Sequence, residues 1–369
     1  MKKTLIASAI AAVTFSGSAL ATETASTLAA RMDSMPQIYG NVQYVYTYSD
    51  SDVNGGGGAL DDNGTTIGFK HSQAITPGIE GFVKIELEVA AADEKGGGNG
   101  LTDLDEAYIG IRGDSFGQVW IGSDDTQYES LLGDYGNWVF EYASLNPYAS
   151  FTTGEGDMLQ YASPSFGGLT LHAGVQINGD GDTKATSSQT YTASVTDENG
   201  NPATLEIETT SPAGKKSYPY QLAASYSMND LTLSLVMDSN DSSVDASNEN
   251  SYGLSAEYAL GNLVLDAYYD TRKGLSGAEN NDLVLDGIEG RDQVGVMASY
   301  NMGANTFRAA YEMSAADTSD LDVDVITLQA LHNVSDNIYV YTELAQSNRD
   351  DGSLDEEINQ MNVGAVYYF

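Results

Sequence analysis

The side chains that could carry acid–base chemistry are three histidines, His71, His172 and His332, set among 53 Asp and Glu residues. A Ser-His-acid relay needs a nucleophile within hydrogen-bond reach of an oriented imidazole. The histidines fall on three separate segments near turn ends, and no nucleophile motif accompanies any of them. A phospholipase or protease would have to assemble its relay by folding alone. Asn178–Asp182 is spaced like the start of a calcium loop, but no glutamate closes it at the right position. Gly55–Gly58 and Gly96–Gly98 precede no helix, so they read as flexible loop tips and not as phosphate cradles. Cysteine is absent, which removes thiol chemistry and thiolate metal sites. These residues require no metal and no cofactor, and they do not read as an enzyme.

What remains is electrostatics. Lys and Arg number 15, for a net charge of −38. Such a chain repels phosphate, so nucleic acid is excluded as a partner. A strongly acidic chain is often disordered, but 41% hydrophobic residues and 24 tyrosines point to order. Acidic surface is also tolerated where salt screens it. Acid and aromatic residues mix most densely in 124–156: Asp124, Asp125, Glu129, Asp134, Glu141 and Glu155 alternate with Tyr128, Tyr135, Trp138, Tyr142 and Tyr148. A stretch of that length without periodicity is functional or disordered, and its aromatics argue for packing.

The elements that must hold these charges are strands. Leu169, Leu171, Ala173, Val175 and Ile177 alternate with Thr170, His172, Gly174, Gln176 and Asn178. Period-two alternation gives one apolar and one polar wall. Sixteen such segments are predicted: 37–49, 65–74, 80–90, 105–113, 117–123, 157–165, 169–177, 218–226, 231–238, 251–259, 263–270, 291–300, 305–313, 322–333, 337–346 and 358–369. Turns of a few residues, such as Thr76-Pro77-Gly78 and Leu260-Gly261-Asn262, take turns with long loops at 50–64, 91–104, 124–156, 178–217, 239–250, 271–290, 314–321 and 347–357. That layout predicts an all-β, 16-stranded antiparallel transmembrane β-barrel with short periplasmic turns and long extracellular loops. Within 178–217 a projecting hairpin is expected around Asp197–Gly200. In 322–333 the apolar phase switches between Val325 and Ile326, which predicts a bulge or a late strand start.

Lys2 and Lys3, the apolar run Leu5–Phe15 and Ala19-Leu20-Ala21 form an export signal. Cleavage is placed after Ala21, which leaves residues 22–36 as a segment before the barrel and 37–369 as the barrel. In lipid the apolar wall faces out. Lys84, Glu86, Glu88, Glu106, Tyr108 and Arg112 then face the lumen, as do Asp266, Arg308, Glu312 and Glu343. A sixteen-strand barrel is too wide for side chains to fill, so lumen charge decides which solutes pass. Tyr46, Tyr48, Tyr269, Tyr311 and Tyr367 suit aromatic girdles at the membrane interfaces.

Thr66–Lys70, Glu106–Gly113 with Gly117–Gly122, Leu159–Gly168 and the terminal Val363–Phe369 resemble the trimeric general diffusion porins of Gram-negative outer membranes. The resemblance covers essentially all of 37–369. It implies a homotrimer in the cell outer membrane that passes small hydrophilic solutes, with the third outer loop, 124–156, folded inward as a constriction lined by its six acids. It also implies that Phe369 and Tyr367 belong to the signal read by the outer-membrane assembly machinery. The family faces its loop acids with a cluster of arginines. Here the matching positions hold Thr66, Ser123 and Ala162, leaving Lys70, Lys84 and Arg112 as the nearby inward cations. The expectation is a cation-preferring pore. Outer-loop acids are further expected to bind divalent cations that bridge to lipopolysaccharide phosphates. A substrate-specific channel and a structural or adhesive barrel are the alternatives.

Overall fold

The computed structural model describes residues 35–91, 101–132, 140–141, 151, 153–177, 188–196, 202–210, 218–240, 250–272, 290–317 and 320–369. The export signal and residues 22–34 lie outside them. The strands of the first half are β1 (Gln37–Ser51), β2 (Gly55–Asp62), β3 (Thr66–Thr76), β4 (Ile79–Val89), β5 (Leu101–Gly113), β6 (Gly117–Ser123), β7 (Met158–Ala162) and β8 (Leu169–Gln176). A separate hairpin, β9 (Ser188–Thr196) with β10 (Pro202–Thr210), falls inside the 178–217 connection, where a hairpin was expected. The second half runs β11 (Tyr220–Met228), β12 (Leu231–Asp238), β13 (Ser251–Leu260), β14 (Leu263–Arg272), β15 (Arg291–Met302), β16 (Asn305–Ala316), β17 (Asp322–Ser335), β18 (Ile338–Asp350) and β19 (Asp355–Tyr368).

The sheet closes on itself. β1 pairs antiparallel with β19 from Asn41↔Tyr368 to Ser51↔Ile358, and β8 pairs with β11. Strands β2 and β3 share one position in the wall, because β2 pairs with Tyr44–Ser51 of β1 and β3 with Gln37–Gly40. The barrel therefore has sixteen strand positions. Closure satisfies every ladder and leaves no edge, which is what hydrocarbon demands.

Outward side chains form a continuous apolar band. Ile109, Leu171, Leu235, Leu254, Val296 and Leu344 are all exposed. A patch of that extent in water would aggregate; against lipid it is the low-energy face. The five tyrosines named for the girdles are likewise exposed on this outer face.

Three expectations are corrected. The predicted loop 50–64 is mostly strand, closed by a short turn at 52–54. Gly58 pairs in register with Tyr48, and the rings of Tyr46 and Tyr48 on β1 reach diagonally to the glycine two residues before their register partners on β2. A Cβ on Gly58 would lie 2.5 Å from Tyr46 Oη, and one on Gly56 2.9 Å from Tyr48 Oη. The rings lie over the glycines, an arrangement that compensates for their missing side chains. The predicted loops 314–321 and 347–357 also shrink, since β16 and β18 run on to Ala316 and Asp350. Finally, no bulge interrupts 325–326. Ile326 and Leu328 point out, whereas Val323 and Val325 point in and pack with Leu321 and Ala316. The phase switch records an apolar patch on the lumen side, not a break in the ladder.

Candidate pore constriction

The segment after β6 begins with Thr126, which caps a short helix α1 (Gln127–Leu132). The Glu129 N–H donates to Thr126 Oγ1 (3.2 Å) and the Thr126 N–H to Glu129 Oε2 (3.4 Å), a reciprocal capping box. This helix lies against the lumen face of the barrel. Tyr128 is fully buried. Its N–H donates to Gln221 Oε1 of β11 (2.8 Å), and its hydroxyl donates to the Asp270 carboxylate of β14. Gln221 in turn donates to Asp238 Oδ2 of β12 (2.7 Å). Gln127 donates to Gln160 Oε1 of β7, and Gln160 Nε2 to the Asp125 carbonyl (2.8 Å). Leu132 drops over Gly253 of β13, where a Cβ would come within 2.6 Å of Leu132 Cδ2. Phe151 stacks on Tyr128 with ring centroids 5.0 Å apart.

A second contact lies on another part of the wall. Phe140 packs among Met297, Ala310 and Ala345 of β15, β16 and β18. The Glu141 N–H donates to Glu343 Oε1 (2.6 Å), Tyr339 Oη donates to Glu141 Oε2 (2.9 Å), and Asn63 Nδ2 donates to the Glu141 carbonyl (2.8 Å). Asn63 reaches it because the strand is interrupted at 63–65, between β2 and β3. There Asp62 Oδ1 accepts the N–H groups of Gly64 and Thr65.

These contacts sort the six loop acids. Asp125, Glu129 and Glu155 bring carboxylate oxygens within 4.8 Å of one another. Asp124 is nearby: its N–H donates to the Glu155 carbonyl (3.1 Å), and its Oδ2 accepts from Trp120 Nε1 (2.5 Å). Burial, then the charge of Glu106, pushes the Asp124 carboxyl up to about 6. Burial and the neighbouring Glu155 and Asp125 push Glu129 up to about 9. Glu141 stands apart beside Tyr339, raised by burial. Asp134 lies outside the described residues.

On the wall, Lys84, Arg112 and Arg308 have acid partners or neighbours, whereas Lys70 lies over an aromatic ring. Lys84 is ion-paired with Glu106 and lies 3.5 Å from Glu86 Oε2. Arg112 pairs with Glu80 (2.8 Å) next to the periplasmic turn. Arg308 donates to Gln329, which donates to Glu343 Oε1 (2.8 Å). Glu312 is buried and accepts from Tyr268 Oη (2.5 Å). Lys70 sits with its Nζ 5.1 Å from the Tyr39 ring centre, and Glu88 pairs in register with Thr66. Thr66 accepts a hydrogen bond from Asn41 (3.1 Å). At the other end of the chain Tyr367 faces outward, and Phe369 exchanges two backbone hydrogen bonds with Gly40.

Sequence reasoning missed Gln160, Gln221, Asp238, Asp270 and Asn63 as the groups that hold the loop. Their only signal was a polar side chain on the inward phase of a strand, which many positions share.

A family profile described as Gram-negative porin matches residues 7–352. This chain belongs to the Gram-negative porin family. Two curated relatives, a "Monosaccharide porin" of Halomonas sp and a "Major outer membrane protein" of Halomonas elongata, are each 29% identical over 404 residues, covering 100% of both chains. Among solved structures, the anion-selective porin from Comamonas acidovorans superposes with a TM-score of 0.66 at 16% identity, covering 91% of this chain and 99% of that one. The porin is an outer-membrane protein whose family forms channels.

Proposed function

We propose that this porin is a homotrimeric, cation-preferring diffusion pore for small hydrophilic solutes, narrowed by the segment that begins at Asp124. The observation that carries the reading is an imbalance. Asp124, Asp125 and Glu155 cluster beside the wall of β4–β7, while Lys84 and Arg112 are engaged by carboxylates. Fixed negative charge in a low-dielectric passage concentrates cations and repels anions. Trimeric assembly is supported by the family and by a solved trimer form of OmpT from Vibrio cholerae, at 14% identity and TM-score 0.58. The zero-current potential of the purified protein in a planar bilayer under a KCl gradient tests the preference. A cation-favouring potential is expected, and an anion-favouring or null potential overturns it.

A second reading is passage of monosaccharides. The Halomonas relative bears that name, and inward Tyr39, Phe82 and Tyr108 form an aromatic patch, Phe82 and Tyr108 packing edge to face at 6.2 Å. Sugars stack on such faces. Liposome swelling that is faster for hexoses than for equally sized polyols would favour it. Cleavage of the export signal after Ala21 predicts a mature N-terminus at Thr22, which mass spectrometry of the membrane protein checks.

A further inference from the structure

The lumen charge is graded along the barrel axis. Near the periplasmic turns the two signs are mixed. Arg112 pairs with Glu80, Glu257 stands opposite Asp266 in register, and Arg308 lies close to the turn that joins β15 and β16. Lys70 is on the inward phase of β3, opposite Lys84, and has no carboxylate within 4.0 Å among the described residues. Toward the outer side the balance tips. On the β4–β7 wall stand Glu86, Glu88, Asp124, Asp125 and Glu155; across the lumen stand Asp238, Asp270 and Glu312. The cations at that level are Lys84, ion-paired with Glu106 and 3.5 Å from Glu86, and Arg272, Arg291 and Arg349 at the outer ends of β14, β15 and β18, so the acids still outnumber them.

We infer that this grading makes the pore rectify, passing cations more readily from the outside toward the periplasm than in reverse. The inference rests on the cation preference proposed above and adds a direction to it. In the acidic outer zone cations carry nearly all the current, whereas both ions carry it in the balanced zone. When the outer side is positive, cations leave the acidic zone for the balanced one. Anions drawn up from the periplasm cannot follow into the acidic zone. Salt accumulates where the zones meet, and conductance rises. With the voltage reversed, cations enter the acidic zone while anions are drawn away to the periplasm. The balanced zone is depleted, and conductance falls. The effect needs a screening length comparable to the lumen radius. It is therefore present at ~0.1 M salt, where that length is about 10 Å, and lost at ~1 M, where it is about 3 Å.

The test is the current–voltage curve of single channels of known orientation. The chain has no cysteine, so Val53→Cys in the outer β1–β2 turn can be biotinylated uniquely, and streptavidin added to one chamber marks the outer mouth. At ~0.1 M KCl the current with the outer side positive is expected to exceed the reverse current by about 1.5-fold, falling to parity at ~1 M. Lys70→Glu makes the periplasmic zone acidic, so it should bring the low-salt ratio toward one while strengthening cation preference. A linear curve at low salt together with a cation-favouring zero-current potential would overturn the grading and leave the proposed function standing. A ratio of the opposite sense would also overturn it, as would a ratio unchanged in Lys70→Glu. An anion-favouring potential would remove both readings.

Discussion

Among the described residues, the segment proposed to narrow the barrel meets the wall at α1 and at Phe140–Glu141, and these two contacts differ in kind. At α1 the partners are mainly neutral and interlocked: Gln127 with Gln160, the Tyr128 N–H with Gln221, and Leu132 over Gly253. At Phe140–Glu141 one ring sits among three apolar side chains, and a carboxylate is held close to a second, Glu343. The first contact fixes position by shape. The second depends on one ring and on where charge resides. Closely packed interiors resist small displacements, so the helical contact should govern the width of the passage and the other its steadiness.

Filling the notch at Gly253 should have the largest effect. In Gly253→Leu the new side chain meets Leu132 and Val236, and overpacking of this sort costs about 1–3 kcal/mol. The helix must lift from β13. Single-channel conductance is expected to change and cation preference to fall, both read in one bilayer recording. Phe140→Ala acts on the other contact. Removing a buried ring costs on the order of 3 kcal/mol, here charged to a loop contact and not to the barrel. Current noise should rise while mean conductance and thermal stability stay near those of the parent. If the two variants exchanged phenotypes, the division of labour between the contacts would be reversed.

The comparison also shows what a sequence reveals of such a molecule. The barrel was legible because alternation is repeated along most wall strands, and each repeat restates the same lipid-facing rule. The first hairpin was not, because Gly55–Gly58 carry no side-chain pattern and the tyrosines that cover them lie on the neighbouring strand. Val323 and Val325 misled for the opposite reason, since apolar residues turned toward the lumen copy the lipid-facing signal on the wrong phase. The acids of the constriction were visible as a composition. Their grouping of Asp125, Glu129 and Glu155 against a separate Glu141 was not, because it depends on how α1 docks, and Gln160 and Gln221 look like any other inward polar residues.

Acidity sharpens the contrast further, with a smaller effect. Asp124 carries a carboxyl raised to about 6 by burial and by Glu106. A raised carboxyl is neutral below that value and charged above it. Cation preference should therefore increase as pH rises from about 5 to 7, with the Asp124 carboxyl contributing to the step. Zero-current potentials measured over that range check it, and in Asp124→Asn the step should flatten. A step that persists unchanged would place the titrating group elsewhere, with Glu141 the next to neutralise, since burial raises it too.

The smallest effect is expected where the sequence suggests a large one. Glu129 belongs to the acidic group, yet burial with Glu155 and Asp125 beside it pushes its carboxyl up to about 9. At neutral pH it is protonated in the folded loop and adds no charge to the passage. Glu129→Gln keeps an oxygen to accept from the Thr126 N–H, so the helix cap survives. At pH 7 its zero-current potential should match that of the parent within error. The two should separate only as pH passes about 9, where the parent gains a charge that the variant lacks. The sign for stability follows the same titration. Unfolded, this glutamate ionises near 4.5, so its raised value in the folded loop opposes docking increasingly as pH climbs from about 4.5 to 9. Glu129→Gln removes that opposition and should hold α1 more firmly at pH 8, seen as lower current noise than in the parent. A clear loss of cation preference at pH 7 would instead mean that Glu129 is ionised and exposed to the passage, and that the capped helix does not shield it.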